Sequence, residues 1–269
     1  MQSSDIDAET SYHPDLRVEF GAGLCTVTLD APERRNAQTP SMWEAFEAIA
    51  DRVEATPEIR VVLLRAEGPS FSAGLDRGML TPGGMPGERD LVAACAESPS
   101  SGIADVQACQ RGLARLRHMP AVVVAAVQGH AVGAGAELAL SADLRLVSED
   151  LALSWPEVPI GLVADLGGVA RLTRVVGEPR ALEIMLTGRV IGAEEAHTLG
   201  LVNRVVPLGD LEAAAQQVVT SLLDLPAEAM REKVLLVRGS TERTEADQLA
   251  RDAAAQARLL HGIARRAQP

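Results

Sequence analysis

Aromatic residues make up only 2% of this 269-residue chain, and of its 25 basic residues all but Lys233 are arginine. A core with so few rings must be built from Ala, Val and Leu, whose small side chains favour close packing of helices and sheets. Cysteine is scarce too: Cys25, Cys95 and Cys109 are odd in number, and they show neither C-x-x-C spacing nor clustered histidines. That excludes a disulfide framework or a zinc site and points to a reducing compartment. No apolar run reaches the roughly 18 residues that cross a bilayer, and the first residues are polar and acidic where a secretory signal is basic and then apolar. A cytoplasmic location is expected. The net charge of −12 opposes phosphate backbones and anionic lipids, so neither nucleic acid nor membrane is an expected partner.

Several catalytic signatures are missing as well. There is no Walker sequence, no Gly-x-Ser-x-Gly elbow and no Cys/His pair, which removes phosphoryl transfer and serine or cysteine hydrolysis. Gly133-Ala134-Gly135-Ala136-Glu137-Leu138 imitates a dinucleotide fingerprint. It comes late in the chain and carries Leu138 where the third glycine or alanine belongs, so a Rossmann dehydrogenase is excluded. His130, on the same glycine turn, reads as a spacer.

What is present alternates strand and helix. Residues 1–14 read as a frayed leader ending at Pro14. Leu16–Phe20 and Leu24–Leu29 alternate apolar and polar around Gly21-Ala22-Gly23, a β-hairpin pattern. Met42, Phe46, Ile49 and Val53 fall at helical spacing, with Ser41 as N-cap and Glu44 closing a capping box. Ile59–Arg65 and Ala121–Val127 are apolar runs that read as buried strands, and Ile103–Met119 is helical up to Pro120. The intervening 77–101 segment is rich in Gly, Pro and Ser and reads as a mobile loop with one helical turn that could hold substrate specificity. A tight turn at Gly129–Gly135, a short helix over Ala134–Ala142 and a strand over Asp143–Val147 repeat the strand, turn, helix order of the first half. Such alternation predicts α/β architecture with right-handed crossovers. Leu172–Leu186, Ala193–Leu199 and Leu211–Leu223 read as helices, and the chain beyond Pro226 as helical.

Three segments carry a family likeness: Phe71-Ser72-Ala73-Gly74-Leu75-Asp76, Gly129 through Leu138, and Trp155-Pro156-Glu157-Val158-Pro159-Ile160-Gly161. Together they resemble the crotonase superfamily, the enoyl-CoA hydratase/isomerase family, over about residues 16–266. The resemblance implies a crotonase-like spiral of repeated ββα units (residues 15–205) and a C-terminal helical subdomain (206–269) that joins subunits into trimers or pairs of trimers. It also implies an acyl-CoA thioester as substrate, with no metal or redox cofactor.

The thioester chemistry gives those segments a physical task. Moving a proton beside the carbonyl puts negative charge on its oxygen, which calls for fixed donors. Glycine turns entering a helix supply free backbone N–H groups at the positive end of the helix dipole. By resemblance the donors are Leu75 and Ala134, the latter standing where the family has glycine, and Glu137 and Glu157 are the catalytic carboxylates of a hydratase. Asp165 resembles an acid of the dienoyl-CoA isomerases, which turn a 3,5-diene into a 2,4-diene, although those carry Asp where this chain has Glu137. Asp165 as a cap for the helix that follows remains the other reading. Arg34, Arg35, Ala73 and Asp76 match positions that hold coenzyme A. Hydration of a 2-trans-enoyl-CoA is the favoured activity, dienoyl isomerisation the second, and a noncatalytic acyl-CoA-binding protein the third.

Overall fold

The computed structural model describes residues 11–81 and 83–266. Strands β1 (Leu16–Gly21) and β2 (Leu24–Leu29) form an antiparallel hairpin in which Gly21 faces Leu24. Ala22 and Gly23 take positive φ (38° and 87°), the twist a two-residue hairpin turn requires. Helix α1 (Pro40–Glu54) leads to β3 (Val61–Ala66). The short α2 (Leu91–Ala94) and long α3 (Ile103–His118) precede β4 (Val122–Val127) and β5 (His130–Val132). Then come α4 (Ala134–Ser141), β6 (Leu144–Ser148), β7 (Ala152–Ser154), α5 (Gly168–Val176) and α6 (Glu178–Thr187). The chain ends with β8 (Ile191–Gly192), α7 (Ala193–Thr198), β9 (Arg204–Val206), α8 (Leu211–Leu223), α9 (Ala227–Val237) and α10 (Glu245–Arg266).

Six strands form the main sheet in the order β1-β2-β3-β4-β6-β9, parallel from β2 onward, and β5-β7-β8 form a second, smaller sheet. The apolar runs β3 and β4 are buried on both faces, as a covered parallel sheet demands. Val62, Leu64, Val123 and Ala125 point into a core shared with α1, α3 and α4. Their neighbours Val61, Leu63, Val122 and Val124 point the opposite way, against Leu211, Ala215 and Val219 of α8. The helical region after residue 206 is therefore not wholly separate: α8 covers the second face of the main sheet.

Several local expectations differ from what forms. Residues 1–10 of the expected leader lie outside the described residues, but His13 is buried and its Nε2 lies 3.0 Å from Ser41 Oγ, so the chain is anchored before Pro14. Helix α1 is capped by Thr39, whose Oγ1 accepts from the Met42 N–H, because Pro40 occupies the first turn. Ser41 instead donates its N–H to Glu88 Oε2, and Glu44 accepts from Arg89, so no capping box closes. The 77–101 segment contains a 3-10 turn (Arg77–Leu80) and α2, which Asp90 caps through the Ala93 N–H. The single helix expected over Leu172–Leu186 is two, because Gly177 adopts φ 79° and ψ 160° between α5 and α6.

Candidate active site

Two backbone donors are exposed by the way their neighbours are bonded. Gln38 pairs with the segment around Leu75 as a parallel bridge: its N–H donates to Gly74 O (2.7 Å) and its carbonyl accepts from Asp76 N–H (2.8 Å). Leu75, between them, turns its own N–H to the other side. Ala134 is the first residue of α4, one of the N–H groups a helix leaves unbonded at its start. Neither N–H has a hydrogen-bond partner among the described residues. Gly74 allows the two strands of chain to meet, for a Cβ there would stand 2.4 Å from Val132 O and 3.3 Å from Ala134 N.

Glu137 lies one turn into α4 and is only 2% exposed. Its Oε1 accepts from the N–H groups of Leu166 (3.0 Å) and Gly168 (2.7 Å), so this side chain, and not Asp165, satisfies the start of α5. The N-cap position itself is Gly167, which offers no side chain. A methyl at Gly168 would come within 2.6 Å of the same oxygen, which explains a glycine there. Burial pushes the Glu137 carboxyl up to about 8; the Gly168 N–H works against that rise, and the charges of Asp165 and Glu157 add to it.

Glu157 precedes the 3-10 turn Val158–Ile160. Its Oε1 lies 3.0 Å from where a Cβ on Gly133 would be, which sets it beside the turn into α4. Its Oε2 is buried without a hydrogen-bond partner among the described residues. Burial first, and then the Asp165 charge, raise its pKa. Asp165 is exposed as a residue, but the packing around its carboxyl raises its pKa too, and its carbonyl accepts from Gln110 Nε2 of α3 at 2.8 Å. A buried carboxylate oxygen without a donor is costly, so Glu157 is poised for a proton, a water or a ligand.

One cavity of about 140 Å³ brings Ala73, Leu75, Ala134, Glu137, Glu157 and Asp165 together. Pockets that enclose drug-sized ligands hold roughly 300–1,000 Å³, so this one has room for a part of such a ligand rather than the whole. Trp43, Arg77, Leu162 and Val163 also line it. Sequence reasoning passed over them, and only the unsupported apolar pair Leu162-Val163 carried a signal. A groove of about 420 Å³ beneath α9 is larger, but its walls are mostly apolar (Val122, Leu222, Met230, Val234), and its one carboxylate, Asp143, is paired with Arg238.

Of the residues expected to hold coenzyme A, Ala73 lines the cavity. Arg34, Arg35 and Asp76 do not line the cavity. Arg34 is held by two carboxylates, Asp15 and, at 3.1 Å, Asp76, so its charge and that of Asp76 are already paired. Arg35 is exposed with φ 52°, and its carbonyl accepts from the Ala73 N–H at 2.9 Å.

Comparison with known proteins fits this geometry. The enoyl-CoA hydratase/isomerase family model matches residues 19–266. A "putative enoyl-CoA hydratase" of Thermus thermophilus is 39% identical over 207 residues, 76% of this chain and 77% of its own. The carnitinyl-CoA dehydratase of Salmonella enteritidis is 34% identical over 213 residues, 78% of this chain and 74% of its own. A crystal structure of a "putative enoyl-CoA hydratase" from Thermobifida fusca in complex with CoA superposes with a TM-score of 0.85 at 36% identity, covering 93% of this chain and 95% of the other. With the two-sheet fold and a cavity that joins paired acids to free backbone donors, these likenesses show that the chain belongs to the enoyl-CoA hydratase/isomerase family of the crotonase superfamily.

Proposed function

We propose that this protein adds water across the double bond of a 2-trans-enoyl-CoA. The observation that carries this reading is the convergence of two partnerless N–H groups, Leu75 and Ala134, with two carboxyls of raised pKa, Glu137 and Glu157, on one small cavity. The thioester oxygen accepts from both N–H groups. One carboxylate takes a proton from water as the water oxygen bonds to the β carbon, and the double-bond electron pair moves toward the thioester as an enolate. The other carboxyl then gives its proton to the α carbon. Each acid/base role is worth about 100–10,000-fold, and each donor to the enolate oxygen about 100–1,000-fold. Every step uses the chain's own groups and one water. The Thermobifida fusca relative, crystallised with CoA and with acetoacetyl-CoA, supports a CoA thioester as substrate.

Asp165 favours a second reading, because a third acid on the cavity wall could relay a proton along a conjugated chain, as 3,5- to 2,4-dienoyl isomerisation needs. Assembly into trimers is part of the same proposal: Val237, Leu260 and Ile263 on the C-terminal helices are large, apolar and exposed. Light scattering that gives a monomer at micromolar concentration would remove it. The activity is tested by following the ultraviolet absorbance of a 2-trans-butenoyl-CoA with the protein and with its Glu137→Gln variant. Loss of absorbance that collapses in the variant supports hydration. No loss in either, with turnover of a 3,5-dienoyl-CoA, moves the function to isomerisation.

A further inference from the structure

Behind Glu137, on the side away from the cavity, lies an arginine for which the reaction as drawn has no use. Arg171 sits one turn into α5, and its partly buried guanidinium has no carboxylate partner among the described residues. It donates instead to three backbone carbonyls on three different elements: Glu137 O of α4 (3.4 Å), Leu166 O of the loop before α5 (3.4 Å) and Leu113 O of α3 (3.2 Å). Leu166 is the residue whose own N–H donates to Glu137 Oε1. The same short turn is therefore gripped at its carbonyl by Arg171 and presents its N–H groups to Glu137.

The two glycines of that turn divide the space. A Cβ on Gly168 would meet Glu137 Oε1 at 2.6 Å, and a Cβ on Gly167 would stand 3.3 Å from the Arg171 guanidinium carbon, at a φ of 95° that disfavours any side chain. Cation and carboxylate thus each pack against one of the two glycines of this turn, without a direct ion pair between them among the described residues. Burial of a guanidinium is unfavourable without compensation, and it lowers the Arg171 pKa to about 10; the charge of Glu137 is what offsets that fall.

We infer that Arg171 is a positioning residue for Glu137: it fixes the turn whose N–H groups orient the carboxylate. This deepens the hydratase reading and rests on it for the kinetic part. The other charged groups around the pair are Glu157 and Asp165 on the cavity side, Arg117 and His118 at the end of α3, and Arg174 on α5. Burial raises the Cys109 thiol of α3 to about 11, with the Asp165 charge adding to the rise, so it stays neutral over the range that matters.

The test reads Glu137 without substrate. Infrared titration follows the carbonyl stretch of its protonated carboxyl, assigned by subtraction of the Glu137→Gln spectrum, in the wild type, in Arg171→Gln and in Gln110→Ala. Gln110 holds the neighbouring Asp165 carbonyl and not the carbonyl of Leu166, so its loss leaves the grip of Arg171 on the turn in place. In Arg171→Gln the band is expected to persist to higher pH and kcat at neutral pH to fall about 10–100-fold with KM changed less, whereas Gln110→Ala leaves the band in place. A folded Arg171→Gln protein with an unmoved band overturns the inference. Were that variant unable to fold, Arg171→Lys decides: one ammonium does not reproduce the planar fork that reaches three carbonyls, so the band is expected to persist to higher pH and kcat to fall, and an unmoved band with an unchanged kcat overturns the positioning role. A wild type without hydratase rate sinks the proposed function but leaves the band to report on Arg171.

Discussion

Glu137 and Gly168 are joined by a 2.7 Å hydrogen bond in which the N–H at the start of one helix donates to a carboxylate carried by another. A side chain with a chemical task thereby also completes a helix terminus, so changes at either end of this bond have paired effects on activity and stability.

Gly168→Ala tests that bond from the helix side. The new methyl would stand 2.6 Å from Oε1 and must displace the carboxylate. A kcat loss of about 100-fold is expected from a displacement near 1 Å, together with a lower Tm. Wild-type turnover in the purified variant would mean that the position of Glu137 is unimportant.

Ala134→Pro separates donor from scaffold. Proline is well accepted at the first position of a helix and lacks an N–H. Circular dichroism should therefore be little changed, while kcat falls about 100–1,000-fold through the lost donor. Equal turnover would show that the Ala134 N–H does not face the reacting oxygen.

Glu157→Gln should uncouple stability from activity in the opposite direction to Gly168→Ala. The buried, partnerless Oε2 is a burden on the folded state, and a neutral amide lightens it. Turnover is expected to fall about 100–10,000-fold with Tm unchanged or raised. A clearly lowered Tm would mean that Glu157 makes a stabilising bond.

The raised pKa of Glu137 fixes the sign of a pH effect. Its carboxyl stays protonated in the folded protein up to about 8, whereas the unfolded chain ionises near 4.5. Between those values the unfolded state binds fewer protons, so stability is full at the acid end, falls as pH rises and levels off above about 8. The slope is at most about 1.4 kcal/mol per pH unit for one proton. Denaturant titrations across this range should show the decline in the wild type and a flatter profile in Glu137→Gln. Turnover should also fall on the alkaline side of about pH 8, where the last shared proton leaves the Glu137–Glu157 pair.

The fold was readable where local rules act alone. β1, β2, β3 and β4 announce themselves by alternation or unbroken apolar runs, and the Gly-Ala-Gly turn is hairpin chemistry. Glu137 stood out because a carboxylate among Gly, Ala and Leu has no reason to face water. What escaped depends on partners distant in sequence. Nothing near Arg34 signals that Asp15 and Asp76 will take its charge, and nothing near Gly167 signals that the cap for α5 arrives from α4. Thr39 prevailed over Ser41 as cap because Pro40 claimed the first helical position. Gly177 divided a run of apolar residues whose periodicity alone spells one helix.

The Leu75 N–H is free because its neighbours on both sides are bonded to Gln38, an arrangement made wholly of main chain. Main-chain groups are common to all amino acids but proline. The free N–H at position 75 can therefore survive almost any substitution there, while the side chain beside it, which lines the cavity, is at liberty to change. Lineages that inherit this bridge can remodel the cavity wall without rebuilding the donor beside it.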